Sequence, residues 1–446
     1  MLATFLLTTA SLSLGQPVSI DGHFDDWPSG HDGSSWNLSA QADEDAIYLL
    51  VHHAGPPRVA QQLAEPLEIG LDLDDNSETG CQQGDLAGSE LAFILSPREP
   101  GQRRGGVLAV SRSAEGEKAY RSPYEHQFLL APSTASRRHE FRIGRISLGP
   151  TNSSIRVVMN PEAGTSITRS LNLTSADLPT SALRRIPSKP ESGTRVTSWN
   201  IERGGMLKRT AVVSQILSRL DADVLLIQEL QDGQKKQDIK RILDAATPGS
   251  NWTVALSPKG TGLRSAVATR LTAEAAAGFD SINRVDEPDR LVKAAGLIIT
   301  TANDSRMLAV SVHLRCCGGL HGPEDMTRIS ETLAIREAIA SAVAQHRPES
   351  LVIGGDMNLV ASPVPLDILR VNGQTMLGEG RIGDLQVAKP RHLDDGAAYT
   401  WYDADSQFTP GQLDFILTGG NVKQMATFIF DTSDLKSDQL GQLPPA

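Results

Sequence analysis

From Arg195 onward the apolar positions follow two rhythms in turn. Short apolar runs (RVTSWNI, DVLLIQEL, MLAVSVHL and SLVIGGDMN) have the length and β-branched content of buried strands. Between them, KRTAVVSQILSRL and RISETLAIREAIASAVAQH repeat their apolar residues every three to four positions, as helices do. Buried strands alternating with helices predict α/β layers in which sheets are covered by helices. Residues 17–175 read differently. There, short alternating segments such as AIYLLVHHA and LEIGLDLD are separated by turn-rich stretches, which predicts an antiparallel β-sandwich. Residues 176–194 are rich in Pro and Ser and weakly periodic, a linker composition. The expected organisation is an all-β sandwich over 17–175, a linker over 176–194 and an α/β domain over 195–446. At 446 residues the chain has the length for such a division.

The first residues, MLATFLLTTASLSLGQP, are apolar and end in Ser13-Leu14-Gly15. The run is too short to span a bilayer and is read as a signal peptide over residues 1–15, which implies a secreted or periplasmic protein. No later run of about 18 apolar residues suggests a transmembrane segment. The formal charge is −11. Residues 194–446 carry 26 Lys and Arg against 30 Asp and Glu, and the preceding residues 16 against 23, so the acidity is concentrated towards the N-terminus. A chain of this balance offers no broad basic field for DNA or an anionic membrane. The three cysteines, Cys81, Cys316 and Cys317, make no disulfide framework and no CxxC pair for structural zinc. Cys316 and Cys317 are read as partly buried thiols beside a functional loop, with a strained vicinal disulfide as the alternative.

Two stretches stand out in the N-terminal part: VSIDGHFDDWP at 18–28 and LDLDDNSETG at 71–80, the latter followed by Gly84-Asp85. Asp72, Asp74 and Asn76 alternate, so their oxygens could converge on a hard cation such as Ca²⁺, although the loop lacks the glycine and the final glutamate of an EF-hand. A solvated acidic turn is the other reading. Together the two stretches resemble the family 9 carbohydrate-binding modules and their sandwich relatives. That resemblance implies calcium at the acidic loop and a glycan partner held by aromatic side chains, which are few here.

The chemistry-bearing residues of the C-terminal part sit where apolar strands end. They are Ser198-Trp199-Asn200-Ile201-Glu202, Ile227-Gln228-Glu229, Val312-His313-Leu314, Gly355-Asp356-Met357-Asn358 and Gln412-Leu413-Asp414. One polar strand end is ordinary; five suggest a shared crevice at a sheet edge. The residue types suit metal-assisted phosphoester hydrolysis. Glu202 and Glu229 are hard oxygen ligands for Mg²⁺ or Mn²⁺. Asn200 and Asn358 can orient a phosphate or a water without repelling it. Asp356 can hold or deprotonate a water, and His313 can donate to a phosphate oxygen. Arg315, two residues past His313, and Arg328 are candidate substrate-binding cations. Trp401 reads as packing near the site.

In this order the motifs WN-x-E, QE, HL, GDxN and LDxIL resemble the endonuclease/exonuclease/phosphatase superfamily over residues 194–431. The resemblance implies a four-layer α/β/β/α sandwich and a hydrolase acting on a phosphodiester or phosphomonoester of nucleic acid, a phospholipid headgroup or a small molecule. It implies Asn200, Glu202 and Glu229 around the metal, Asp356 and Asn358 at the nucleophilic water, His313 at the phosphate, and Asp414 orienting a histidine. That histidine belongs to a closing Ser-Asp-His-x-Pro loop, whose only near match here is Ser437-Asp438-Gln439. Glutamine cannot relay a proton as imidazole does. The sequence therefore predicts a sheet without its last strand, Asp414 without a histidine partner, and much reduced turnover. The alternative function is an impaired protein that binds phosphoesters or glycans.

Overall fold

The structure, a computed structural model, describes residues 18–28, 34–81, 86–98, 105–113, 115, 117–149, 151–162, 165–173, 185–378, 380–394 and 397–435. The signal-peptide reading, the Gly84-Asp85 pair, residues 176–184 of the linker and Ser437-Asp438-Gln439 lie outside these. Among the described residues, no helix is long and apolar enough to cross a membrane.

The N-terminal strands are β1 (Trp36–Ala42), β2 (Ala46–His53), β3 (Leu67–Asp72), β4 (Leu91–Leu95), β5 (Val107–Arg112), β6 (Lys118–Arg121), β7 (Leu129–Ala131), β8 (Arg138–Gly144), β9 (Ser154–Glu162) and β10 (Thr165–Asn172). They form two antiparallel sheets, β1-β2-β8-β7 and β10-β9-β3-β4-β5-β6. Alternate residues of the two sheets meet in one core: Leu38, Ile47 and Leu49 from the first and Ile69, Leu71 and Phe93 from the second are all buried there. The VSIDGHFDDWP stretch is held beneath this sandwich by Glu140. That carboxylate accepts from the Asp21 and Gly22 amides (2.7 and 2.6 Å) and from Trp27 Nε1 (3.0 Å).

The acidic loop adds one carboxylate to the calcium reading. The carboxylates that converge are Asp72, Asp74 and Glu90. The Asn76 side chain accepts from the Glu78 amide and caps its own turn (3.0 Å), and its main-chain amide donates to Asp72 and Asp74. Asp72 is already ion-paired with Arg156, whose Nε lies 2.9 Å away.

The C-terminal elements are β11 (Val196–Asn200), α1 (Thr210–Leu220), β12 (Val224–Gln231), α2 (Lys236–Ala246), β13 (Thr253–Leu256), β14 (Leu263–Thr269), β15 (Ala273–Ala275), β16 (Ala294–Thr300), β17 (Arg306–His313), α3 (Pro323–His346), β18 (Ser350–Asp356), α4 (Val364–Arg370), β19 (Gln386–Val387) and β20 (Asp414–Gly420). Two mixed sheets result, β11-β12-β14-β13 and β15-β16-β17-β18-β20-β19. The period-two alternation of β12 sorts its side chains between two cores. Leu225 and Ile227 pack against α1 and α2, whereas Val224 and Leu226 pack against Leu297, Ala309 and Val352 of the second sheet. Helix α3 covers the outer face of that sheet through Ile335, Ile339 and Val343. The architecture is a four-layer α/β/β/α sandwich. Among the described residues β11 is an edge strand, with all five of its residues partly exposed.

The two parts are joined by more than a linker. Lys189 reaches Asp223 (2.9 Å), fixing the chain just ahead of β11. Ala397 and Tyr399 join Ile20, Trp27, Tyr48 and Leu129 in one apolar cluster. Main-chain bonds also cross: Ala135 N donates to Ala361 O (2.7 Å), Val107 N to Gln407 O (2.9 Å) and Ala398 N to Ile20 O (3.3 Å). A linker-joined pair of independent domains would share few such bonds.

Two outcomes follow. Cutting the full chain at an engineered protease site within 176–184 leaves both fragments co-eluting in gel filtration at micromolar concentration; separate elution contradicts the shared interface. The second concerns His139, which is buried beside His53 and pushed down to about 3 by that burial. It stays neutral when folded and charges when unfolded below its ordinary 6.5, so its contribution to stability is full above pH 6.5. It is lost on going down, at about 1.4 kcal/mol per pH unit. His139→Phe should flatten the urea-midpoint slope between pH 6.5 and 5; an unchanged slope refutes this.

Candidate active site

The strand directions bring the polar ends together. β11 runs parallel to β12 and β17 parallel to β18, so Asn200, Glu229, His313 and Asp356 emerge at corresponding ends. β20 runs antiparallel to β18 and begins where the others finish. The register sets His313 beside Asp356 and Asp356 beside Asp414 across the second sheet.

Asn200 joins the two sheets. Its Nδ2 donates to Glu229 Oε1 (3.1 Å) on its own sheet and to Asp356 Oδ2 (2.9 Å) on the other. Glu229 has left ideal strand geometry: its φ is +64°, at the point where the β12–β14 register shifts. That irregularity turns its carboxylate into the crevice. Deeper between the sheets, Gln228 Nε2 donates to Ser311 Oγ (3.0 Å), and Ser311 Oγ donates to Ile227 O (3.1 Å). The two glycines before Asp356 serve this close approach. A Cβ on Gly354 would lie 2.8 Å from Leu226 of the facing sheet, and one on Gly355, at φ +145°, would lie 2.0 Å from Val312 O. Asp356 is oriented in turn by the Asn358 amide, which donates to its Oδ1 (2.9 Å). The Asn358 side chain donates to Leu314 O (3.1 Å).

His313 Nε2 lies 3.9 Å from both Glu229 Oε1 and Asp356 Oδ2, beyond hydrogen-bond reach. These three residues present ligand atoms that all lie within 4.8 Å of one another. Burial, and secondarily Lys293, push His313 down to about 3, so the imidazole is neutral. Burial first, then the neighbouring Asp414 carboxylate, raises Asp356; burial raises Asp414 as well, against a hydrogen bond from Thr400 and aided by Glu229. Three acidic groups thus crowd one crevice. The donor set fits a hard divalent cation: two carboxylate oxygens and a neutral imidazole converge on one point, and the raised carboxylates lack a compensating cation.

Several assignments from sequence change. Glu202 is exposed and outside the convergent set, because Glu202, Arg203 and Gly204 all take positive φ (44°, 50°, 78°) and curl the chain. That turn delivers the Arg203 amide to Glu229 Oε2 (3.0 Å) in place of the Glu202 carboxylate. Arg328 cannot meet substrate. It is fully buried, ion-paired with Asp325 (3.2 Å), and donates to the carbonyls of Arg315 and Cys317 (2.9 and 2.8 Å). Arg315 remains exposed. Cys316 and Cys317 are exposed rather than partly buried. No described histidine forms an ion pair with Asp414. His392, the nearest to it in sequence, is bound to Asp434 (3.0 Å).

Sequence reasoning missed Lys293 and Thr400. Lys293 lies opposite His313, whose amide donates to the Lys293 carbonyl (3.0 Å), so a cation stands beside the imidazole. Its only signal in the sequence is a lone lysine just ahead of the apolar run AAGLIIT, and the antiparallel register that makes it a partner is not readable there. Thr400 Oγ1 accepts from the amides of Leu413 and Asp414 (3.0 and 2.9 Å).

The model of the endonuclease/exonuclease/phosphatase family matches residues 197–438, more than half of the chain, which therefore belongs to that family. Its members share a phosphoesterase fold. Similar solved structures include truncated TDP2 from Caenorhabditis elegans, with 17% identity, a TM-score of 0.36, and 51% of this chain and 85% of that chain covered. A 3′ phosphatase, NExo, from Neisseria, solved with a product DNA hairpin, shows 16% identity, a TM-score of 0.34, and 51% and 87% coverage. A family protein from Leptotrichia buccalis shows 12% identity, a TM-score of 0.36, and 54% and 94% coverage. No curated protein matches the chain.

Lys293→Met provides a check on the local electrostatics. Removing the cation should raise the His313 pKa, since a neighbouring positive charge disfavours imidazolium; burial keeps it below the ordinary value. An NMR titration that leaves His313 unmoved would place the Lys293 charge elsewhere.

Proposed function

We propose that this chain is a divalent-metal-dependent phosphoesterase that attacks phosphorus with a water held by Asp356. The convergence of Glu229, His313 and Asp356, spanned by the Asn200 amide, carries this reading. Glu229, Asp356 and His313 would hold the ion, Mg²⁺ or Mn²⁺ by the hardness of its ligands. When bound, it supplies charge neutralisation at the phosphoryl oxygens. The chain's own residues do the rest. Asn200 fixes the two carboxylates against each other. The Asn358 amide orients Asp356, whose carboxylate accepts the water proton; its raised affinity for that proton suits the task. Lys293 places a positive charge near His313, where a phosphate oxygen would be received.

An acidic chain is poorly suited to gripping a long polyanion, so a small phosphoester or a lipid headgroup is the favoured substrate. The apolar N-terminal run favours action outside the cytoplasm. In this reading the β-sandwich forms a wall of the site. Ser133 Oγ lies 2.9 Å from Leu359 O, next to Asn358, and 3.2 Å from Gln412 O, two residues before Asp414.

Hydrolysis of bis-p-nitrophenyl phosphate should require Mg²⁺ or Mn²⁺ and stop in excess chelator. Glu229→Ala should cost roughly a hundredfold or more in kcat, since a ligand and a positioned charge are lost together. Its thermal midpoint in chelator should be unchanged, because no core volume is removed. Turnover that survives chelation, or a wild-type chain inactive with either metal, refutes the proposal.

A further inference from the structure

We propose that Cys316 and Cys317 are a vicinal dithiol that a low-molecular-weight disulfide oxidises to an intramolecular disulfide, and that closing this ring releases the 315–322 loop from Arg328. Neighbouring side chains on extended backbone point to opposite faces. Here Cys317 takes φ +68° and Gly318 φ +78°, and the turn brings both sulfurs to one side, 3.0 Å apart with the Cys317 thiol donating to Cys316. Both residues are exposed, so a small reagent can reach them. A disulfide bond is about 2.05 Å long, so the sulfurs need approach by only about 1 Å. Arg315 supplies positive charge beside the pair, and Cys316, the sulfur that accepts the hydrogen bond, is the one placed to attack first.

The chemistry balances without any group the protein lacks. The Cys316 thiolate attacks one sulfur of the reagent disulfide, forming a mixed disulfide and expelling one reagent thiolate. The Cys317 thiol gives up its proton, and its sulfur attacks the Cys316 sulfur, expelling the second reagent thiolate. Two protein thiols are oxidised, one reagent disulfide is reduced to two thiols, and the two protons end on those.

The loop's anchoring couples this bond to its surroundings. The carbonyls of Arg315 and Cys317 both point inward to Arg328, while Gly318 O receives Gln62 Nε2 from the β-sandwich (3.3 Å). The Cα of Cys317 is a member of the eight-membered ring of a vicinal disulfide, and the carbonyl that Arg328 holds hangs from that atom, so closing the ring shifts this carbonyl and loosens it from the guanidinium. Arg328 is fully buried, with Asp325 as its charged partner. The loop begins directly after Leu314, whose carbonyl holds Asn358.

The test uses the full chain treated with glutathione disulfide, then alkylated and mapped by mass, with amide exchange measured on the same samples. The expected result is a peptide containing residues 316 and 317 that is lighter by two hydrogens and resists alkylation, with Cys81 still alkylated. Amide exchange over 315–322 should rise at least about tenfold as anchoring is lost. Cys317→Ser should stop at the mixed disulfide on Cys316 and keep the slow exchange of the reduced chain. A stable mixed disulfide on the unsubstituted chain, or a disulfide-linked dimer, overturns the dithiol. Ring closure with unchanged exchange overturns the release from Arg328. None of these readouts depends on phosphoesterase activity.

Discussion

Everything at this site depends on two sheets ending at the same level, and one amide holds them there. Asn200 is the last residue of an edge strand, yet its Nδ2 serves a carboxylate on each sheet. The bond to Asp356 has its intended length only because the inter-sheet core is built from modest side chains such as Val224, Leu226, Ala295 and Ala309, and because Gly354 leaves room for Leu226. Burial of Val224 and Leu226 contributes about 1.5–3 kcal/mol each, so the packing that sets the spacing is also what stabilises it. Carboxylates gathered this closely repel one another, and the packed sheets supply the stability that keeps them together.

Much of this was legible in the chain itself. Period-two alternation in DVLLIQEL and period-3.6 patterning in the helices gave the layers. Polar residues closing the apolar runs gave Asn200, Glu229, His313 and Asp356, because a strand end is a place where sequence position and spatial position coincide. What misled was local backbone geometry. Glu202 stands two residues past Asn200, and strand logic places both on one face, but three successive positive φ values end the strand there. Arg328 read as a free cation because a helix pattern does not reveal that Asp325, one turn earlier, is buried beside it. Asn76 alternates neatly with Asp72 and Asp74, whereas Glu90, from β4's approach, arrives by cross-strand pairing that only register reveals. Lys293 was missed for the same reason.

The linker shows another limit. Its composition suggests a boundary, but the contacts that bind the two parts include main-chain bonds between loops, as with Ala135 and Ala361 or Val107 and Gln407. Any residue can make such a bond, so no composition or periodicity announces it.

The Ser133 hydroxyl, lying within reach of two catalytic-loop carbonyls, has a consequence beyond the reaction. A sandwich on a slack tether would sweep a volume, and whatever it gripped could be presented at many distances. This one is bolted to the loops beside Asn358 and Asp414, so any molecule it grips sits at a fixed offset from the crevice.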